Sequence, residues 1–452
     1  MNDFATYQLN EIIEIIGGGT PKRDNPSFWG GDIPWLSVVD FNNDKRYVAS
    51  TVERITQQGL VGSSTKLLNT GDIIISARGT VGCLAQLSMP MAFNQSCYCL
   101  RGKNNVIIND YLYYLLKIKV RELKQKTHGA VFDTITKETF SHINVNIPIS
   151  VNVQKKIAKV LSTLDDKIHL NDQLNQTLES IAQAIFKSWF IDFDPVRAKI
   201  AAKLEGADPE IAAMCAISGK SEVELQQMPE EDFAELQATA ALFPDELVES
   251  ELGEVPRVWE VKPLDKIANY LNGLALQKFR PENEYDFLPI VKIAQLKSGV
   301  ATIEEKASPN IDRKFIIENG DVIFSWSGSL MVDIWCGGKA ALNQHLFKVT
   351  SNDYHKWLYY FYTKHHLAEF QRIAQAKAVT MGHIKREHLS QALCCIASNQ
   401  LLEISNIFIG HFLQKLIELR LENNNLKQLR DTLLPKLLSG EVSVEDIKQQ
   451  QD

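Results

Sequence analysis

The chain has 452 residues, 45% of them hydrophobic, and a formal net charge of −7. That apolar content can fill several cores, and the length suggests two to four domains. No apolar run approaches the ~18 residues of a membrane span, and the opening MNDFATYQLN has neither the basic start nor the apolar stretch of a signal peptide, so a soluble, cytoplasmic chain with no membrane partner is expected. The seven cysteines are odd in number and scattered, with only Cys97 and Cys99, and Cys394 and Cys395, close together; neither a disulfide framework nor a zinc site is expected. The negative charge is local. Residues 201–256 hold fourteen Asp or Glu against Lys203 and Lys220, a balance of −12, which leaves +5 on the rest of the chain. Such a stretch reads as a solvated acidic linker or insertion, and what remains is basic enough to permit DNA binding.

From the N-terminus onward the sequence repeats itself. GDIIISARGT from Gly71 is echoed by GDVIFSWSGS from Gly320, AFNQ (92–95) by ALNQ (341–344), and ITKETF (135–140) by IKREHL (384–389), all at an offset of 249. Nearer the start of each half the offset is 255: Leu9, Ile12, Ile16, Gly18 and Pro34 answer Leu264, Ile267, Leu271, Gly273 and Pro289. One half has therefore gained about six residues, expected in a loop. A period this long is a domain copied once rather than a solenoid of short repeats. Within each copy GDIIIS and GDVIFS read as buried strands opened by a Gly-Asp turn, and DYLYYLLKIKV and DYHKWLYYFYTKHHL read as helices, so the domains are of the α+β class.

Each copy gives way to a long helical pattern. The first, about 154–190, carries a seam through Ile157, Leu161, Leu164, Ile168, Asn171, Asn175, Leu178, Ala182 and Ile185; the second, about 400–434, runs through Ile409, Phe412, Leu416, Leu419, Asn423, Leu426 and Leu433. Alternating gaps of three and four mark a coiled coil, and asparagines in both seams fix register at a cost in stability. Two copies of one domain, each followed by its helix, imply a pseudo-two-fold axis with the helices antiparallel. The alternative is that each helix packs on its own domain. The plan is a first domain at 1–150, a central helix at 151–200, the acidic segment at 201–255, a second domain at 256–398 and a C-terminal helix at 399–445.

Catalytic signatures are weak. NPSF from Asn25 lacks the second proline of an amine-binding NPP[FY] loop and reads as a surface turn. SGKS from Ser218 ends like a P-loop, but Met214 stands where the first glycine belongs. Pro244-Asp245 with Glu260-Val261-Lys262 spells a nuclease pattern in which two carboxylates and a lysine hold Mg2+, yet it falls in the acidic stretch. The ten histidines form no constellation. A non-catalytic binding protein is expected.

Taken together, IGGGTPKRDNPSFWGGDIPWLS (16–37), GDIIISARGTVG with FNQ, QAIFKSWFIDFDPVRAK (183–199), ATAALFPD, GEVPRVWEV and the terminal LRDTLLPKLLSGEV resemble the specificity subunit of type I restriction-modification enzymes over nearly the whole chain. The second repeat departs from the usual opening, with LNGLALQKFRPEN in place of IGGGTPKRDNP. The resemblance implies two target-recognition domains, each reading half of a gapped double-stranded DNA site, with the helices as spacer. It also implies no active site or bound cofactor on this chain, and a complex with two modification subunits that methylate adenine using S-adenosylmethionine and two restriction subunits that use ATP and Mg2+. A two-domain adaptor that binds proteins instead of DNA is the alternative. Glycine-rich loops bring backbone close to phosphate, and Arg and Lys supply charge and bidentate contacts to guanine. The candidates for DNA contact are Thr20, Lys22, Arg23, Arg78, Thr80 and Lys137 in the first repeat, and Lys278, Arg280, Trp326, Ser327, Lys377 and Arg386 in the second. Asn94-Gln95 and Asn343-Gln344 could bond adenine, though their recurrence fits a shared turn better. Phe186, Trp189 and Phe190 exceed what a two-stranded seam needs and are expected to be exposed anchors for a modification subunit.

The helices also predict a ruler. A helix of about 37 residues is roughly 55 Å long, about one and a half turns of DNA at roughly 34 Å per turn. Four residues inserted near Leu178 add roughly 6 Å and keep the seam nearly in phase. The expected outcome is that both half-site sequences persist while the unread gap grows by about one or two base pairs. Sequencing methylated DNA from cells expressing the lengthened chain with its partners checks this; an active enzyme with an unchanged gap would show that something other than the helices sets the spacing.

Overall fold

The computed structural model describes residues 3–126, 134–376 and 382–449. The chain divides into two compact units: Met1–Leu170 with Asn425–Asp452, and Asn171–Asn424. No helix among the described residues is long and apolar enough to cross a membrane.

In the first unit a five-stranded sheet runs in the order Ile13–Gly17, Cys97–Gly102, Ile73–Ser76, Leu84–Leu87, Tyr47–Val48, and a three-stranded sheet in the order Glu53–Ile55, Trp29–Leu36, Ala92–Phe93. The strand Ile73–Ser76 is buried throughout because both of its faces are covered. Ile73 and Ile75 pack with Tyr111, Leu112 and Leu116 of the helix Asn109–Lys126, while Ile74 packs with Leu36, Phe41 and Phe93. A strand covered on both sides reads as an unbroken apolar run, as this one does.

The second unit repeats the design with its own register. Ile74 lies opposite Cys99 and Ile323 opposite Lys348; Trp35 pairs with Ala92 in parallel and Ile290 with Ala341; Tyr7 faces Val145 and Lys262 faces Cys394. The offsets of 249 and 255 therefore hold at the level of strand pairs. The six extra residues of the first copy are not in one loop. Pro34 opposite Arg54 and Pro289 opposite Lys306 place three before the strand Glu53–Ile55 and three after it. The glycine shared by both openings has a packing reason: a Cβ on Gly18 would stand 2.0 Å from the Asn94 carbonyl oxygen, and one on Gly273 would stand 2.3 Å from that of Asn343.

The first long helix spans Val151–Phe190, and the last runs over His411–Ser439 after a helical turn Asn399–Ser405 and a π-turn Asn406–Gly410. In the first unit they pair antiparallel, with Asp165 2.6 Å from Arg430 and Ile157 packed with Leu437 and Leu438, while Glu445 of the short helix Val444–Gln449 that follows lies 2.7 Å from Lys156. In the second, Asn171 donates to Asn423 Oδ1 at 3.0 Å and to Glu422 at 2.8 Å, and Asn423 donates to Asp172 at 2.9 Å. Asn171 and Asn423 thus satisfy one another, whereas the Asn175 Oδ1 is buried with no hydrogen-bond partner among the described residues; both helices also close the domain cores. Ile157, Leu161, Leu434 and Leu437 join the first core; Ala182, Phe186, Ile409 and Leu413 join the second.

The acidic segment is folded and is not a solvated linker. Helices Asp194–Glu205, Pro209–Ser218, Glu222–Gln226 and Glu230–Ala241 enclose a small core of Ala213, Met214, Leu225 and Ala240. Buried Lys199 ties it down, reaching Glu210 at 2.8 Å and the Phe243 carbonyl at 2.9 Å. Charge counting misreads it because the acids lie outward around a few well-spaced apolar residues.

Asp165 and Arg430 sit in a buried polar chain. Tyr114 donates to Asp165 at 2.6 Å, Arg46 donates to Tyr114 at 3.2 Å and pairs with Asp110 at 2.6 Å. Burial by itself would lower the pKa of the Arg430 guanidinium, but the charges and hydrogen bonds of Asp165 and Asp431 together outweigh it and hold the group above its ordinary value. Asp165→Ala would leave that buried cation with only its partly exposed neighbour Asp431, at 2.9 Å, and is expected to destabilise the first unit by up to about 3–5 kcal/mol, whereas an apolar pair at both positions should recover most of the loss. Urea unfolding followed by circular dichroism measures the difference.

Candidate nucleic-acid interface

In each repeat four segments meet to form one rim. In the first, Gly19 donates its N–H to the Phe93 carbonyl at 3.0 Å, Ala77 to that of Ser96 at 2.8 Å, and Ile135 to that of Ala77 at 2.8 Å. Arg78 bridges Thr134 through backbone. In the second, Gly273 donates to the Leu346 carbonyl at 3.0 Å, Gln344 to that of Leu274 at 2.9 Å and Ile384 to that of Trp326 at 3.0 Å, and Ser327 bridges His383. Asn94 and Asn343 each accept an N–H two residues on, from Ser96 at 3.1 Å and His345 at 3.2 Å. These asparagines are turn residues shared by both rims.

The rim brings several of the expected residues together. Arg78 and Thr80 are exposed on the loop that leaves the strand Ile73–Ser76, and Arg78 makes no ion pair among the described residues. Thr20 donates its hydroxyl to Gln95. Lys137, exposed, lies two residues beyond Ile135, and Arg386 takes the same place in the second copy, where it donates to the Tyr270 carbonyl at 3.2 Å. Lys22 is exposed, as are Lys278 and Arg280 at the short helical turn Leu276–Lys278. Arg23 is already committed: it lies 4.0 Å over the Trp29 ring and pairs with Glu53, whose hydrogen bond raises its pKa.

Two expectations change. Ser327 is 3% exposed, and its hydroxyl lies 3.0 Å from His345 Nδ1, so it braces a neighbour instead of facing a ligand. Trp326 is half-buried, with its indole N–H given to Asn272 at 3.0 Å and its ring stacked against His345 and Phe347. Lys377 lies outside the described residues. Sequence reasoning passed over Asn272, His345 and His383; the repeated Asn-Gln turn pointed to the place, but only folding sets His383 beside it.

The enzymatic patterns dissolve. Asp245 pairs with Lys203, and Lys262 with Glu260 at 2.6 Å and the Tyr354 hydroxyl at 3.1 Å; no metal-binding group of His, Cys, Asp or Glu occurs among the described residues. SGKS is a turn between two short helices, Gly219 ending one and Ser221 capping the next. Asn25 caps the turn Pro26–Phe28.

The sequence model described as the type I restriction modification DNA specificity domain matches residues 1–180 and 256–431. The chain belongs to this family. It is 30% identical over 468 residues to the HindI type I restriction enzyme specificity subunit of Haemophilus influenzae, covering 98% of this chain and 100% of that one. It is 28% identical over 461 residues to the MjaIX specificity subunit of Methanocaldococcus jannaschii, covering 98% and 95%. The crystal structure of the S subunit of a type I restriction-modification system from M. genitalium shares the fold, with a TM-score of 0.51 at 13% identity and 96% of each chain covered.

In this specificity subunit the aromatic residues at the end of the first long helix are core, not exposed anchors. Phe186, Trp189 and Phe190 are 5% exposed or less. Phe186 stacks on Phe361 at 5.4 Å, Phe190 on Trp357 at 5.4 Å, and Trp189 meets Phe243 edge-on at 5.2 Å. The helix looked over-supplied with apolar residues because it closes a domain core and holds the folded acidic segment as well as pairing with its partner. Trp189→Ala or Phe190→Ala is therefore expected to destabilise the second unit by about 3–5 kcal/mol. Thermal melting of the isolated chain checks this; full stability with loss only of subunit assembly would restore the anchor reading.

Proposed function

We propose that this specificity subunit reads a two-part, asymmetric site on double-stranded DNA, one half per repeat, and directs adenine methylation and restriction by modification and restriction subunits. The supporting observation is that two copies of one scaffold carry unlike side chains at matching rim positions. Ala77, Arg78, Ser96 and Thr134 of the first correspond to Trp326, Ser327, His345 and His383 of the second, at the offset that the strand pairs share. Identical scaffolds with different tips suit unlike half-sites. Positions that are basic in both copies, Lys137 and Arg386, suit phosphate, which carries no sequence information.

No cofactor is assigned to this chain; S-adenosylmethionine, ATP and Mg2+ belong to the partner subunits. With Phe186, Trp189 and Phe190 in the core, the surface for those subunits is assigned to apolar residues that stay exposed, Ile181 of the first long helix at 42% and Ile407 of the π-turn Asn406–Gly410 at 64%. Near them in sequence, Ile185 and Phe408 line a groove of about 320 Å³ together with Leu236.

Arg78 gives the test. If it grips a guanine edge, Arg78→Ala should cost roughly 1–3 kcal/mol of discrimination at one base pair of one half-site and leave the other half unchanged. Sequencing methylated DNA, with binding assays on duplexes altered base by base, separates this from an even loss on all sequences, which marks a phosphate contact. A palindromic or ungapped methylated motif would refute the two-part reading. The adaptor alternative requires that the chain with its modification subunit show no preference among duplexes.

A further inference from the structure

The two rims differ in kind. In the first, the long Arg78 side chain stands among small neighbours, Ala77, Ser96 and Thr134, and its charge is unpaired among the described residues. In the second, the long cation is gone, and a fixed plate takes its place. Trp326 is held by its hydrogen bond to Asn272 and by tilted ring contacts with Phe347 at 5.8 Å and His345 at 5.9 Å. His383, exposed and bridged through backbone to Ser327, meets the same indole edge-on at 6.3 Å. Ser327 occupies the Nδ1 side of His345, and the Gln344 amide nitrogen makes a long contact of 3.5 Å with its Nε2, so the two polar groups stand side by side. Both side chains are only partly buried.

Resting on the reading that the rims contact DNA, we propose that the second half-site is read by His345 and Gln344, with His383 beside them, and that Ser327 and Trp326 position these groups without touching DNA. A ring nitrogen and an amide side by side match the major-groove edge of a purine, which offers N7 as acceptor next to a donor in adenine or a second acceptor in guanine. Gln344 has a counterpart in Gln95, but His345 has only Ser96, so the imidazole is what distinguishes this half-site. Preorganisation is the physical point: the first repeat pays the entropy of ordering a flexible arginine, while the second meets the base with groups already fixed by stacking and hydrogen bonds.

The experiment uses the full complex of this chain with its modification subunits, and duplexes carrying the methylated motif with single base-pair changes. His345→Ala, His345→Gln and His383→Ala are each compared with the native chain. The expected result for His345→Ala is a loss of discrimination of roughly 5- to 150-fold at one or two base pairs of a single half-site, with the other half-site read as before. Arg78→Ala should affect the opposite half. Ser327→Ala should loosen the same position as His345→Ala, by less, because the ring loses its brace but not its place. Equal discrimination at every base pair in His345→Ala and His383→Ala, or a uniform drop on all duplexes, overturns the proposal. If His345→Ala melts early, His345→Gln, which keeps a polar side chain, decides the same question. A native complex with no preference among duplexes would overturn the DNA reading itself, which is a different outcome.

Discussion

A buried carboxylate must find a cation or lose its charge, and Asp165 finds Arg430, 265 residues away in sequence, at 2.6 Å. Both side chains are nearly fully buried, so their mutual attraction has to offset a large desolvation cost, and the pair adds little net stability. Its effect is on register. Any slide of one helix along the other parts Asp165 from its cation and leaves Arg430 with only Asp431 of its own helix, so the first unit favours one alignment of its two helical segments. The chain Arg430, Asp165, Tyr114, Arg46 and Asp110 then carries that alignment into the recognition domain. In the second unit a hydrogen-bonded version of the same device, Asn171 against Asn423 with Glu422 and Asp172 as further acceptors, sets register.

The helices do more than pair. Each unit's core is closed by a piece of both of them, so the first long helix belongs to two domains at once and the last one does too. The two readings that the sequence left open, helix on helix or helix on domain, are therefore both realised, on different faces. That explains the excess of aromatics near Phe190, and why the acidic segment settles there: Phe243, Trp259 and Phe193 complete a cluster that the helix end begins.

The duplication separates what must stay from what is free to vary. Gly18 and Gly273 stay because no side chain fits against the following turn, and Asn94 and Asn343 stay because they make that turn. The loop beyond the buried strand is free. It is one residue shorter in the second copy, as the pairing of Ile74 with Ala85 but Ile323 with Asp333 shows, and its tip changes from Arg78 to Ser327. A rigid base with an exchangeable tip is how one domain serves two ligands.

The sequence alone determined the duplication, the α+β class and the two seams, because each rests on spacing along the chain, and periodicity survives without knowledge of contacts. It also marked the place of the rim, since the Asn-Gln turn recurs at matched positions beside the loops of Arg78 and Ser327. It misjudged Phe186, Trp189, Phe190 and Ser327, and passed over His345 and His383. Burial of these residues depends on partners far away in sequence: Trp357 and Phe361 for the helix end, and the imidazole of His345 for Ser327. Only the tertiary structure decided which apolar residues are core and which polar ones face outward, because exposure is a property of what packs against a side chain and not of the side chain's own chemistry.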